Sequence, residues 1–228
     1  MWVIETIIEL LKENMQMLSR ETVNTLYMTL VSSIVAYILA LPLGVALVVT
    51  KEDGLHPIGF LNRILDIAVN IGRSVPFLIL LVAIQPLTTF IVGKSYGSTA
   101  TIVPLVVAST PFIARLIESS LQEVDHGVIE AAKSMGASLS TIILKVLIPE
   151  AKTSLIVGGT IAIGTILSYS AMAGFVGGGG LGDIAIRYGY YRYEADIMII
   201  TVILMVILVQ VLQLIGMKIA RKTDKRVI

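Results

Sequence analysis

Little in this chain could do covalent chemistry. It has no cysteine and only two histidines, His56 and His126, with neither an HExxH nor a Gly-x-Ser-x-Gly pattern. That excludes a disulfide scaffold, a Cys-ligated zinc site and thiol catalysis, and it leaves no nucleophile paired with a base. Gly177-x-Gly179-x-x-Gly182 formally satisfies the dinucleotide fingerprint. The fingerprint needs a soluble strand–turn–helix unit, however, and four consecutive glycines satisfy almost any glycine spacing. A flexible turn, usable as a gate hinge or docking loop, is the expectation there. Two other groupings offer more. Glu130-Ala131-Ala132 and Gly136 lie in the longest polar stretch of the chain, where small residues at a bend suit an exposed helix pair to a groove on a partner. Ser168-Tyr169-Ser170-Ala171-Met172 offers hydroxyls and a flexible, polarisable thioether that could plug a narrow pore or contact an apolar substrate. Each has a plainer alternative: a solvated carboxylate, serines bonded to their own helix carbonyls, and one of nine methionines filling space.

The elements that must position these residues are membrane helices. The 228 residues are 56% hydrophobic and 14% charged, with a mean hydropathy of +0.90, whereas soluble domains are about 25% charged. Such a chain is too apolar for disorder. Its net charge of +1 excludes nucleic-acid binding driven by bulk charge. A helix needs about 20 apolar residues to cross the hydrocarbon core. Five uncharged runs qualify: Thr22–Thr50, Ser74–Gly93, Ser95–Ala114, Thr153–Gly182 and Ile197–Met217. The second helix is expected to begin near Ile67 and take in Arg73, and Lys94–Thr99 to form a tight turn. The fold class is all-α polytopic, with five transmembrane helices.

Five spans put the termini on opposite sides of the bilayer. One side collects Lys51, Arg63, Arg115, Lys133, Lys145, Lys152, Lys218, Arg221, Lys222, Lys225 and Arg226, which is 11 cations. The other collects Lys12, Arg20, Lys94, Arg187 and Arg192, which is 5. The richer side is expected to be cytoplasmic, giving N-outside and C-inside. The first twenty residues carry three Glu and no apolar core of signal-peptide length, so no removable signal peptide is read. Residues 1–21 are read as an external amphipathic segment, with Trp2–Leu18 a surface helix. Residues 22–217 form the membrane domain, and 218–228 a basic cytoplasmic tail. Pro42, Gly44, Gly72, Pro76, Pro86, Pro104, Pro111, Gly158, Gly159 and Gly164 interrupt the spans, which fits helices that pack closely and move.

The longest polar stretch is the loop at about 116–152, predicted to be two short helices joined at a turn. Ile129, Ala132 and Met135 recur on one face, Gly136 turns the chain, and Ser138 or Ser140 caps the second helix. Leu139, Ile142, Ile143 and Val146 make a second apolar face, ended by Pro149. An exposed helix pair of this kind suits a groove on a partner.

This loop resembles the signature of bacterial ABC importer permeases: Glu130-Ala131-Ala132, three residues, Gly136, nine residues, then Val146-x-Ile148-Pro149. The ending departs conservatively from the family's Ile-x-Leu-Pro form. The stretches Arg73–Phe77, Ile102–Leu105, Pro111–Arg115 and Tyr169–Gly174 running into Gly177–Gly180 resemble the methionine-uptake branch, as does the count of five spans. The resemblance runs from Thr22 onward. It implies a type I importer permease fold whose cytoplasmic coupling helices dock into ATPase subunits. Glu130, Ala131, Ala132, Gly136 and Pro149 would form that contact. Two copies would form the pathway for a small amino acid, with two ATPase subunits beneath and an often lipid-anchored substrate-binding protein outside. No cofactor is implied. Met172 would be a gate, with Ser168, Tyr169 and Ser170 along the pathway.

Arg73, inside a span, reads as snorkelling or ion-paired, or as a holder of a substrate carboxylate. Asp66, Glu118 and Glu123 read as interfacial charges. Arg187–Tyr193 alternates basic and aromatic residues, which fits an interfacial belt or a contact with the binding protein. The rival from another class is an ion-coupled secondary carrier, which needs acidic residues deep in the bilayer. The five uncharged runs contain none. A permease for another small solute is the rival within the class.

Overall fold

The computed structural model describes residues 14–224, and among them every regular element is a helix. In chain order the main ones are α1 (Met15–Val49), α2 (Gly59–Ser74), α3 (Phe77–Ala83), α4 (Gln85–Val92), α5 (Ser98–Gln122), α6 (His126–Ser134), α7 (Leu139–Ile142), α8 (Lys152–Met172), α9 (Gly180–Ile184) and α10 (Ala195–Thr223). Helices α1, α5 and α10 are long and apolar enough to cross a bilayer, as is the stretch that begins with α8. The pair α2 and α3, taken together as one broken span, makes five.

The second span differs most from its expected form. Proline disfavours helical angles in the residue before it, and Val75 is extended at φ −81°, ψ 123°. The run Ser74–Gly93 is therefore no single helix. Instead α2 begins at Gly59 and carries Arg73 in its last turn, the chain bends at Val75–Pro76, and a second break at Ile84 precedes Pro86 at the start of α4. Gly93, at φ +81°, ends α4, and the expected tight turn leads into α5. Residues 15–21 are continuous with α1. The remainder of the amphipathic segment read at the N-terminus, and residues 225–228 of the tail, lie outside the described residues.

The described chain forms two compact units. The first holds residues 14–34, 76–107 and 163–213. Its core gathers Leu18, Leu181, Ile184, Ile197 and Ile200, so the start of α1, α9 and the start of α10 pack together. Thr25, Thr29, Ser32 and Ser170 are buried here while Ile79 and Phe90 face outward. Hydroxyls inside and large apolar residues outside suit a hydrocarbon solvent, where small side chains let helices approach.

The second unit holds residues 35–75, 108–162 and 214–224. Gly44 lies where an added Cβ would sit 2.7 Å from Ile117 Cγ2 and 2.9 Å from the Ala114 carbonyl, so only glycine permits this approach of α1 to α5. Gly72 meets Pro111 in the same way. The Asn62 amide donates to the Leu47 carbonyl at 2.7 Å and to Thr50 Oγ1 at 3.1 Å, tying α2 to the end of α1. Tyr37 donates to the Leu155 carbonyl at 3.0 Å, and Ser154 to Ser120 at 3.0 Å.

Arg115 is the charged hub of this unit. It bonds the carboxylates of Asp66 and Glu118 and, at 2.9 Å, Asn70 Oδ1. Asp66 and Glu118, two of the charges read as interfacial, are thus both partners of Arg115.

Candidate functional site

The Glu130 segment folds as the spacing predicts, with better-defined ends than the sequence showed. Helix α6 starts at the N-cap Asp125, whose carboxylate accepts the Gly127 N–H at 2.7 Å. Its other end closes as a Schellman motif: the Gly136 N–H donates to Lys133 O at 2.9 Å and the Ala137 N–H to Ala132 O at 3.1 Å. That closure requires a left-handed residue, and Gly136 has φ +74°. Ser138 then caps α7, accepting the Thr141 N–H at 3.3 Å.

One expectation fails. Pro149 does not end the second helix. Having no N–H, it cannot close an ordinary helical bond, and the helix widens to π geometry over Ile143–Leu147 before continuing through Ile148–Glu150. A π-helical turn inside an α-helix is a usual way to absorb such a mismatch.

The two helices bury one side and expose another. Ala132, Ile142 and Leu147 are buried, while Glu130, Ala131 and Pro149 are exposed. Met135 is 80% exposed, so it does not share the buried face with Ala132, and Val128, Leu139 and Leu144 are exposed as well. Glu130 and Lys133 border a cavity of about 370 Å³ whose other walls include His126 and, from the turn after α1, Lys51 and Asp53. The arrangement is an apolar patch beside a charged pocket, on helices fixed at three caps. It offers docking, not catalysis.

The Met172 segment lies in the first unit. Met172 ends α8 and is 41% exposed. Tyr169, one turn earlier, stacks on Phe77 of α3 with ring centroids 4.6 Å apart and planes 3° from parallel. The Ser168 hydroxyl donates to the Gly164 carbonyl at 3.1 Å, and Ser170, buried, donates to the Leu167 carbonyl at 2.7 Å. Both hydroxyls thus bond their own helix, the plainer of the two readings. The structure brings Ser168, Tyr169 and Met172 to one stretch of α8.

The glycine stretch is not the flexible turn the composition predicted. After a 3₁₀ turn at Ala173–Val176, Gly177, Gly179 and Gly180 adopt φ +73°, +78° and +79°, and the segment from Gly180 to Ala185 is buried. Polar groups hold it on several sides. The Gly180 N–H donates to the Glu21 carboxylate at 2.7 Å and the Leu181 N–H to Thr25 Oγ1 at 2.8 Å. The Gly97 N–H donates to Gly177 O at 2.9 Å. Beyond it, Asp183 pairs with Arg187, and Arg192 lies over the Tyr188 ring at 4.5 Å. Tyr190, Tyr191 and Tyr193 are exposed.

Among the described residues no group of three His, Cys, Asp or Glu could hold a metal ion. Sequence reasoning missed Asp125, Phe77, Glu21, Thr25 and the hub role of Arg115. Only Asp125, immediately before a helix, and Arg115 with Glu118 at i+3 had a local signal.

Known proteins share this architecture. Residues 38–228 match the family described as the inner membrane component of binding-protein-dependent transport systems. The chain is 53% identical over 213 residues to the probable D-methionine transport system permease protein of Vibrio cholerae, covering 93% of this chain and 95% of the relative. It is 44% identical to the methionine import system permease protein of Bacillus subtilis, covering 79% and 81%. A chain of the MetNI methionine ABC transporter, solved in inward-facing conformations, superposes with a TM-score of 0.92 at 45% identity, covering 93% of this chain and 99% of that one.

Proposed function

This chain belongs to the family of inner membrane components of binding-protein-dependent transport systems, and from that we propose that it conducts methionine as one half of a homodimeric pathway. It is a multi-pass permease subunit of an ABC importer, and it is not itself an enzyme. Two ATPase subunits sit beneath the dimer, and a substrate-binding protein, often lipid-anchored in such systems, docks on the opposite face.

The single observation that carries the coupling role is the α6–turn–α7 unit, capped at Asp125, Gly136 and Ser138 and exposing Val128, Met135 and Leu139 beside Glu130. Exposed apolar side chains on a capped, rigid helix pair are what a groove on an ATPase subunit would cover. Ala131 and Ala132 allow close approach, Gly136 sets the bend, and Pro149 leads the chain back to α8. Closure of the ATPase dimer on ATP carries these helices with it, and the pathway opens to the outside. The N-terminus lies outside and the C-terminus in the cytoplasm, in keeping with the cation count.

Met172 is the gate, and two symmetry-related thioethers close the pathway. The Phe77–Tyr169 stack steadies the helix end that carries it. The methionine specificity of the relatives supports methionine as the substrate.

The chain has no cysteine, so a single introduced thiol tests the docking cleanly. Met135→Cys, in the complex with its ATPase subunits, is expected to crosslink to them and to be shielded from a water-soluble maleimide. A Met135→Cys thiol labelled equally with and without those subunits refutes the docking assignment.

A further inference from the structure

The glycine stretch after Met172 is fitted, not slack, and its longest-range tie is to a residue that no part of the transport reading uses. Glu21, near the start of α1, accepts the Gly180 N–H at 2.7 Å and the Asn24 side-chain amide at 3.0 Å. Thr25, one turn on, accepts the Leu181 N–H at 2.8 Å while donating to the Glu21 carbonyl at 2.9 Å. Two successive backbone N–H groups of the stretch thus end on one face of α1. On its other side Thr101 Oγ1 approaches the Gly178 carbonyl at 3.3 Å.

The fit is steric as well. A Cβ at Gly180 would lie 2.7 Å from Thr25 Oγ1 and 2.8 Å from Met28 Cε, and one at Gly179 would lie 2.8 Å from Ser98 Oγ. Glycines elsewhere in the sequence could be there for flexibility. These are there because the strap passes too close to its neighbours for a side chain, with backbone angles that other residues avoid.

We propose that Glu21 is a positioning residue that latches this strap, and through it the Met172 end of α8, in the closed arrangement of the external gate. The inference rests on the transport reading and on the external placement of this end. Only six residues separate Met172 from Gly179, and the 3₁₀ turn between them is held by the Gly178 N–H donating to Ala173 O at 3.0 Å and the Gly177 N–H donating to Gly174 O at 3.2 Å. A displacement of the strap is therefore passed to the end of α8 with little slack. The carboxylate is the right group for a latch, because a charged acceptor makes the stronger kind of hydrogen bond. It also remains reachable: Glu21 lines an open cavity of about 520 Å³ with Arg20, Asn24, Lys94 and Arg187. Opening the gate then exchanges the strap's N–H groups for water or for donors of a docked partner, with no covalent change.

The test uses the whole complex, permease with ATPase subunits, in proteoliposomes, with radiolabelled methionine outside for uptake and preloaded inside for efflux. Two quantities are read: ATP-driven uptake with the binding protein present, and passive efflux without ATP or binding protein. Glu21→Ala is expected to raise passive efflux about tenfold, the effect of losing one charge-assisted bond. Glu21→Gln keeps an acceptor oxygen but loses the charge, and is expected to leak more than the parent and several-fold less than Glu21→Ala. A merely structural role would lower assembly and uptake together and would not raise efflux. Efflux from Glu21→Ala equal to the parent overturns the latch, and so does Glu21→Gln leaking as much as Glu21→Ala. Should Glu21→Ala fail to assemble, Thr25→Val carries the test by removing the acceptor for Leu181 together with the hydroxyl's bond to the Glu21 carbonyl: raised efflux upholds the latch and unchanged efflux overturns it. A parent complex without ATP-driven uptake would instead refute the transport reading, and so the two failures are distinguishable.

Discussion

Replacing Gly136 separates the conformation of the coupling turn from its bulk. The backbone there is left-handed, at φ +74°, and an added Cβ would meet nothing within 4 Å. A side chain therefore has room, and the whole penalty is conformational. For an ordinary residue that penalty is about 1–2 kcal/mol, more for a β-branched one, and less for asparagine, which visits this region readily. A domain stable by about 5–15 kcal/mol survives such a loss. The turn does not survive unchanged: relaxing the strain means giving up the Schellman bonds from Gly136 to Lys133 and from Ala137 to Ala132. A bias of about 2 kcal/mol against the docked geometry is roughly a thirtyfold shift in population. Gly136→Val is thus expected to fold, to assemble and to leave ATP hydrolysis by the complex nearly intact while methionine moved per ATP falls at least tenfold. Gly136→Asn is expected to retain most coupling. The assay is paired measurement of uptake and phosphate release in proteoliposomes, with thermal unfolding as a control. Normal coupling in Gly136→Val, or equal damage in both variants, would refute the reasoning.

Four other outcomes are expected, two from the packing and two along the pathway. Arg115→Met leaves Glu118, with a side chain 15% exposed, and the more exposed Asp66 without their cation, and is expected to cost about 1–3 kcal/mol, read as a lowered Tm that Glu118→Gln partly restores. Gly44→Leu drives a side chain into Ile117 and the Ala114 backbone and is expected to lose about 1–3 kcal/mol or more, with Gly44→Ala intermediate, in the same melting assay. Along the pathway, Met172→Ala is expected to raise passive methionine efflux several-fold. Ser170→Ala, whose hydroxyl is buried against its own helix, should leave the KM for uptake within about twofold, because the lost bond shares a carbonyl already served by the helix.

How much of this could be read beforehand depends on whether the cause was local. The long helices α1, α5, α8 and α10 were legible as uncharged runs, because a bilayer demands continuous helical bonding and tolerates few charges. The second span was not, since Arg63, Asp66 and Arg73 hid the helical stretch Gly59–Ser74 among charges while Pro76 and Pro86 broke the apolar run that remained. Gly136 and Ser138 were legible because turn and cap chemistry lies within three residues of its cause. Pro149 departs from its local signal: proline ordinarily stops a helix, but widening to π geometry lets the helix run past it. The glycine strap was misjudged for the opposite reason. Its conformation depends on Glu21, 159 residues away in sequence from the N–H it holds, and no local pattern records such a bond. Arg115 stood in the sequence with Glu118 at i+3, but its tie to Asp66 depends on how α2 lies against α5.

As proposed, this chain conducts methionine and moves nothing uphill without a separate motor. The direct measurement is accumulation of radiolabelled methionine in proteoliposomes holding the permease with its ATPase subunits and binding protein, with the ATPase either intact or disabled in its own catalytic site. The expected result is accumulation above the external concentration with ATP and the intact motor, abolished by the disabled one and competed by unlabelled methionine but not by unrelated amino acids. Concentrative uptake that persists with the disabled motor, driven by a proton or sodium gradient, would contradict it.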